Sequence, residues 1–77
     1  MNKLRQELEQ LKRRRRNVKP QEMHTLLIKA GFKREYGKGD HWNYRHPVRR
    51  AKLVIDPRNP LLPVYVSQAI RAIEEVL

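Results

Sequence analysis

The stretch Gly37-Lys38-Gly39-Asp40-His41-Trp42-Asn43-Tyr44-Arg45-His46-Pro47 constrains the fold of this chain more than any other. Two glycines around a lysine release the backbone into a tight turn, because glycine reaches φ > 0 at no steric cost. An alternating segment follows, and Pro47 stops it by having no N–H to offer a ladder. The segment therefore reads as one arm of a hairpin, with flanking strands from Phe32 to Tyr36 and from Lys52 to Ile55 and a second turn from Pro47 to Arg50. On the central strand, His41 to His46, the two-residue period puts Trp42, Tyr44 and His46 on one face and His41, Asn43 and Arg45 on the other. The aromatic pair is expected to face a core, and His41 and Arg45 to face outward.

Helices are expected on either side of this meander. From Pro20 to about Ala30, a proline suits the first helical position and Glu22 complements the helix dipole. Met23, Leu26, Leu27 and Ala30 form the apolar stripe. Gly31 supplies a left-handed stop, after which Phe32 can fold back onto Leu27. His24 lies off the stripe and is expected at the surface. Residues 56 to 63 hold three prolines and read as a loop. A last helix starts near Pro63 with Val66, Ala69, Ile70, Ile73 and Leu77 as its stripe.

Residues 3 to 12 also read as a helix, with Leu4, Leu8 and Leu11 on one face. So narrow a stripe must lie against something, either its own domain or, as a docking helix, a partner protein or a second copy in a homodimer. The five cations Lys12 to Arg16 that follow read as a solvated face or as an arm that tracks phosphates. The order helix, helix, three antiparallel strands, helix is an α+β sandwich. Residues 17–77 match the α-β-β-β-α plan of double-stranded-RNA-binding domains, and residues 1–16 add the extra N-terminal amphipathic helix with its basic run.

At 77 residues the chain is expected to be one small domain, and with no cysteine neither a disulfide nor a thiolate zinc site can staple it. Eighteen Lys and Arg against eight Asp and Glu give a net charge of +10. Such an excess calls for a polyanionic partner: RNA, DNA, an acidic lipid surface or an acidic protein. The basic start without an apolar run argues against a signal peptide or membrane span, so the cytoplasm is the expected location.

A histidine on a glycine turn between cations suits chemistry on a phosphodiester. RNA cleaves itself when a 2′-hydroxyl attacks the adjacent phosphorus, and an enzyme must move two protons and hold extra negative charge. His41 supplies a proton-transfer group. Gly37 to Gly39 supply backbone N–H groups, and Lys38 and Arg45 supply charge. Arg49, Arg50 and Lys52 are further candidates for phosphate contact. The scheme needs no cofactor and no metal. His41 and His46 are five positions apart on one strand and face opposite ways, His24 sits in another element, and the acids are scattered. Ser67 is the only serine, so a nucleophilic triad has little to draw on. His46 reads as structural, and Trp42 and Tyr44 as core in preference to base-stacking rings. Asp40 places a negative charge beside His41, which suits a general acid and repels phosphate. The alternative is a non-catalytic RNA-binding module in which His41 and the same cations grip A-form backbone.

Gly39-Asp40-His41 with Tyr44 through Pro47, a helix ending in Ala30-Gly31-Phe32 and a final helix led by Leu61-Leu62-Pro63 together resemble the HicA family of small toxin ribonucleases. The likeness runs from about Val18 to the C-terminus. Members usually carry serine or glycine where Asp40 stands, and often a second histidine where Trp42 stands. The resemblance implies the α-β-β-β-α plan and a metal-independent endoribonuclease, an mRNA interferase toxin that cleaves mRNA with His41 as its catalytic residue. It also implies a cognate HicB-type antitoxin that silences the toxin.

Overall fold

Two prolines set where the main helices begin. In the computed structural model, which describes residues 3–37 and 39–77, α2 (Pro20–Lys29) and α3 (Pro63–Val76) each have proline in the first turn and an extended residue before it, Lys19 and Leu62. Extended backbone is what a following proline imposes on its predecessor. The remaining elements are α1 (Lys3–Arg13), β1 (Lys33–Glu35), β2 (Trp42–Arg45) and β3 (Lys52–Ile55). The architecture is a small α+β domain with three helices and a three-stranded antiparallel sheet in the order β1-β2-β3.

The sheet is shorter than the sequence pattern predicts. β1 and β2 pair only from Lys33↔Arg45 to Glu35↔Asn43, so Tyr36 and His41 lie outside the ladder. Glycines at 37 and 39 give a ladder neither packing nor stiffness, and pairing of these strands ends at Glu35↔Asn43. β2 and β3 pair from Trp42↔Ile55 to Arg45↔Lys52. His46 N–H to the Ala51 carbonyl (2.8 Å) and Arg50 N–H to the His46 carbonyl (3.0 Å) then close the second turn, with Arg50 in the left-handed region at φ 55°.

The alternation on β2 holds. Tyr44 and His46 are buried, Trp42 is half-buried, and His41 and Arg45 are exposed. Tyr44 joins Met23, Leu27, Phe32, Leu53, Ile55, Val66 and Ile73 in a single core. α2 packs toward β1 and α3 toward β3, so the helices cover the Tyr44 face and leave the His41 face to solvent.

The end of α2 is fixed by sequence and tertiary contact together. Gly31 N–H bonds the Ile28 carbonyl and Phe32 N–H bonds the Leu27 carbonyl, both at 3.0 Å, a paired cap that needs a left-handed residue. Gly31 supplies it at φ 98°. A Cβ there would lie 2.8 Å from Nε2 of His46, so the position excludes other residues twice over.

α1 touches α2 and α3 but, among the described residues, no strand. Leu8 and Leu11 are each 3% exposed and belong to the same core as the strands, so the leucine stripe packs on its own domain. Val18, fully buried, anchors the connection to α2 by accepting the N–H of Leu61 at 2.8 Å. The basic run is not a free arm along its whole length. Lys12 reaches Glu74 at 2.6 Å, and that carboxylate holds its ammonium above the ordinary lysine value. Arg14 bonds Glu22 (2.6 Å to Oε2) and the Asn17 carbonyl (3.0 Å), and Arg15 bonds the Ser67 hydroxyl at 3.0 Å. Exposed pairs of this kind add little stability each, and they give these three cations partners within the chain. No described helix is long and apolar enough to cross a membrane.

Candidate nucleic-acid site

His41 stands at the entrance to β2 on the solvent face of the sheet. Its carbonyl accepts the Asn43 side-chain amide at 3.5 Å. Its imidazole is exposed and has no bonded partner among the described residues. Gly39 before it takes φ 101° with open space where a Cβ would point, so glycine is needed here for backbone conformation. Gly37 is different: it is not in the left-handed region, and a Cβ there would meet only Asn43 Nδ2 at 4.0 Å. Of the two glycines expected to release the backbone through positive φ, only Gly39 does so. Lys38, expected to supply charge at this turn, lies outside the described residues.

His41 belongs to two clefts. One, of about 280 Å³, lies against the turn and is lined by Arg34, Glu35, Tyr36, Gly39, Asp40 and Trp42 among others. The second, of about 560 Å³, runs beside β3, the edge strand, with Lys52 and Val54 on one side and Tyr65, Gln68 and Arg71 of α3 on the other. At its far end Lys52 also lines a third cleft, of about 440 Å³, with Arg45, Pro47 and Arg50. His41 is common to the first two clefts and Lys52 to the last two, so shared residues link the three in a row, called the track below.

The predicted site residues that the structure describes fall into two groups, one at each end of β2. Gly37, Gly39 and His41 sit at the β1–β2 end. Arg45, Arg49, Arg50 and Lys52 sit at the other end, four residues or about 13 Å along the strand from His41. Arg45 is not poised over the turn. Its Nε lies 3.5 Å from Glu35, and in the sheet register it stands between Lys33 and Lys52. That row of three cations crosses the solvent face. Arg49 is exposed and gives its backbone N–H to His46.

The other two histidines are engaged elsewhere. Nδ1 of His46 accepts the N–H groups of Val48 (3.3 Å) and Arg49 (3.1 Å), and its ring meets Phe32 edge-on at 5.3 Å between centroids. It holds the second turn in place, the structural part expected of it. His24 is not the surface residue its position off the stripe suggests. It is half-buried, its Nδ1 is hydrogen-bonded to the Tyr44 hydroxyl at 2.7 Å, and its ring packs against Trp42 in a T-shaped contact, 6.1 Å between centroids. The pattern on α2 alone could not reveal this, because the partner comes from β2. Burial pushes the Tyr44 phenol up to about 12, against the opposing charge of Arg34, so the hydroxyl stays protonated at neutral pH.

Three residues of the track were not anticipated as site residues. Tyr65, Gln68 and Arg71 line the groove from α3. Their spacing of three places them on one helix face beside the apolar stripe, a signal the sequence does carry. Which strand that face would meet was settled only by the packing of α3 on β3. Among the described residues, no three His, Asp or Glu side chains converge as a metal site would require.

Comparisons with protein-family models, with curated proteins and with solved structures find no match to this chain.

Proposed function

We propose that this chain is an endoribonuclease of the HicA toxin kind, a metal-independent mRNA interferase that acts in the cytoplasm and is silenced by an acidic HicB-type antitoxin. The observation that carries the reading is the track: an exposed imidazole with no bonded partner among the described residues, at the mouth of a groove that leads to Lys52, Arg45 and Arg50. The order α2-β1-β2-β3-α3 agrees with the double-stranded-RNA-binding plan that the HicA resemblance implies. The net charge of +10 suits both RNA and an acidic neutralising partner.

In this mechanism the RNA backbone lies along the track, with downstream phosphates against Lys52, Arg45 and Arg50 and the scissile phosphate at the turn. The backbone around Gly39 approaches the phosphate closely because no Cβ intervenes. His41 transfers a proton while the 2′-oxygen forms a bond to phosphorus and the bond to the 5′-oxygen breaks. The products are a 2′,3′-cyclic phosphate and a free 5′-hydroxyl. One proton leaves the 2′-hydroxyl and one reaches the 5′-oxygen, so the charge balances without a co-reactant. Neutral imidazole serves the first transfer and imidazolium the second.

The test is cleavage of an unstructured RNA by purified protein in excess chelator. The expected result is cyclic-phosphate ends from the native chain and none from His41→Ala. Binding without cleavage by the native chain would replace this reading with the non-catalytic RNA-binding module, and loss of cleavage in chelator would remove the metal-independent scheme.

A further inference from the structure

Tyr36 is the most exposed large hydrophobic side chain among the described residues, at 85%, and it lines the same cleft as His41. Lone exposed rings are ordinary on protein surfaces, but this one has a defined setting. The guanidinium of Arg34 stands 4.2 Å from the ring centroid of Trp42 and 4.9 Å from that of Tyr36, so one cation bridges a half-buried ring and an open one. Nε of Arg34 is buried without a hydrogen-bond partner. The guanidinium thus lies against two ring faces, and it forms no ion pair among the described residues. Trp42, Arg34 and Tyr36 form a graded stack that starts in the protein and ends in solvent.

We propose that Tyr36 is a base-stacking subsite, where one unpaired nucleobase of the RNA rests on the open ring and so brings the adjacent phosphate to His41. The proposal rests on the RNA reading given above and narrows it: the preferred substrate is single-stranded at the cleavage point. A planar heterocycle extends the stack, and the Arg34 cation behind the ring strengthens the contact. Bases inside a duplex are already stacked on each other and cannot reach the ring. Trp42 cannot take this part, because Arg34 and His24 already cover it.

The test measures anisotropy of a labelled, uncleavable 2′-O-methyl RNA single strand, the same strand with one abasic site, and a duplex of the same sequence, all at low salt. Tyr36→Ala is expected to weaken single-strand binding roughly 5- to 100-fold, to leave duplex binding unchanged, and to lose little further on the abasic strand. Tyr36→Phe is expected to bind like the native chain, since the ring and not the hydroxyl makes the contact. Equal melting temperatures for the three proteins accompany that result, as expected for so exposed a side chain. Native affinity in Tyr36→Ala, equal losses on single strand and duplex, or no single-strand binding by the native chain would each overturn the proposal. Cleavage of unmodified RNA is scored separately. If the native chain does not cleave but the stacking pattern is present, the nuclease reading fails and the subsite stands.

Discussion

His41 and His46 flank one four-residue strand, yet their surroundings have little in common. His46 points into the fold, accepts two backbone N–H groups and fills the space left by a glycine at position 31. His41 points outward from the other end of the strand, beyond a Gly39 that takes the left-handed region at φ 101°, and its imidazole has no bonded partner among the described residues. Two ends of the same hairpin thus use one side-chain type for opposite purposes. Where the turn must be rigid, the imidazole is consumed as an acceptor. At the exposed end of the strand, the imidazole is left without a bonded partner among the described residues. The residue type alone assigns no role; the hydrogen bonds already made decide what chemistry remains.

The largest effect that would sharpen this contrast is on catalysis. His41→Ala is expected to lower the cleavage rate by about 10²- to 10⁴-fold, the usual worth of a proton-transfer group, with RNA affinity and melting temperature nearly unchanged. A fall in melting temperature comparable to that of His46→Ala would erase the distinction between the two ends.

His46→Ala is expected to do the reverse. Losing two accepted N–H bonds and the edge contact with Phe32 should cost about 2 kcal/mol, seen as a lower denaturation midpoint, while the folded fraction cleaves at the native rate. Gly31→Ala is also destabilising, through its φ of 98° and the 2.8 Å approach to His46. Because His46→Ala removes the clash, the double variant should lose less than the sum of the two single losses. Strict additivity would show that the imidazole does not fix the glycine.

Tyr44 links the rigid interior to α2 and gives a pH signature. Its phenol is raised from 10 to about 12 in the fold by burial, so the folded state holds its proton more tightly than the unfolded chain. Its contribution is complete below pH 10 and falls as pH rises toward 12. Tyr44→Phe is expected to cost about 1 kcal/mol at neutral pH by removing the bond to His24, and to lose less stability than the native chain between those two pH values. Parallel decline of both proteins across that window would show that other groups govern alkaline unfolding.

The smallest expected effect is at the second turn. Arg50 occupies the left-handed region at φ 55°, a conformation that costs a non-glycine residue about 1 kcal/mol. Arg50→Gly should raise stability by about that amount. It should also weaken RNA binding and lower the salt dependence of affinity by roughly one phosphate contact, about 0.7 to 0.9 in the slope. Higher stability with unchanged binding would remove Arg50 from the track.

Much of the fold was legible in local pattern. The prolines marked the starts of α2 and α3, Gly31 marked the end of α2, and the alternation on β2 assigned its two faces correctly. What the pattern misjudged were the margins and the pairings. Tyr36 and His41 dropped out of the ladder because the glycines beside them offer it neither packing nor stiffness. His24 looked like a surface residue because its partner, Tyr44, is twenty positions away. For Lys12, Arg14 and Arg15 the pattern left a solvated face and a phosphate-tracking arm both open, because Glu74, Glu22 and Ser67 come from other helices. Tyr36 and the α3 face of Tyr65, Gln68 and Arg71 carried no motif, and they enter the candidate site only through the clefts that folding forms around His41 and Lys52.

The sequence by itself determined which residues are helical or extended, which faces are apolar and how much positive charge the surface must carry, because these depend on φ preferences, periodicity and composition, all local or additive properties. The tertiary structure decided which histidine is consumed and which is free, which cations remain available to a partner, and how His41 is joined to the distant basic cluster. Those outcomes turn on hydrogen bonds, ring contacts and grooves between residues far apart in the chain, and such pairings do not exist until α3 lies on β3 and α2 lies across Tyr44.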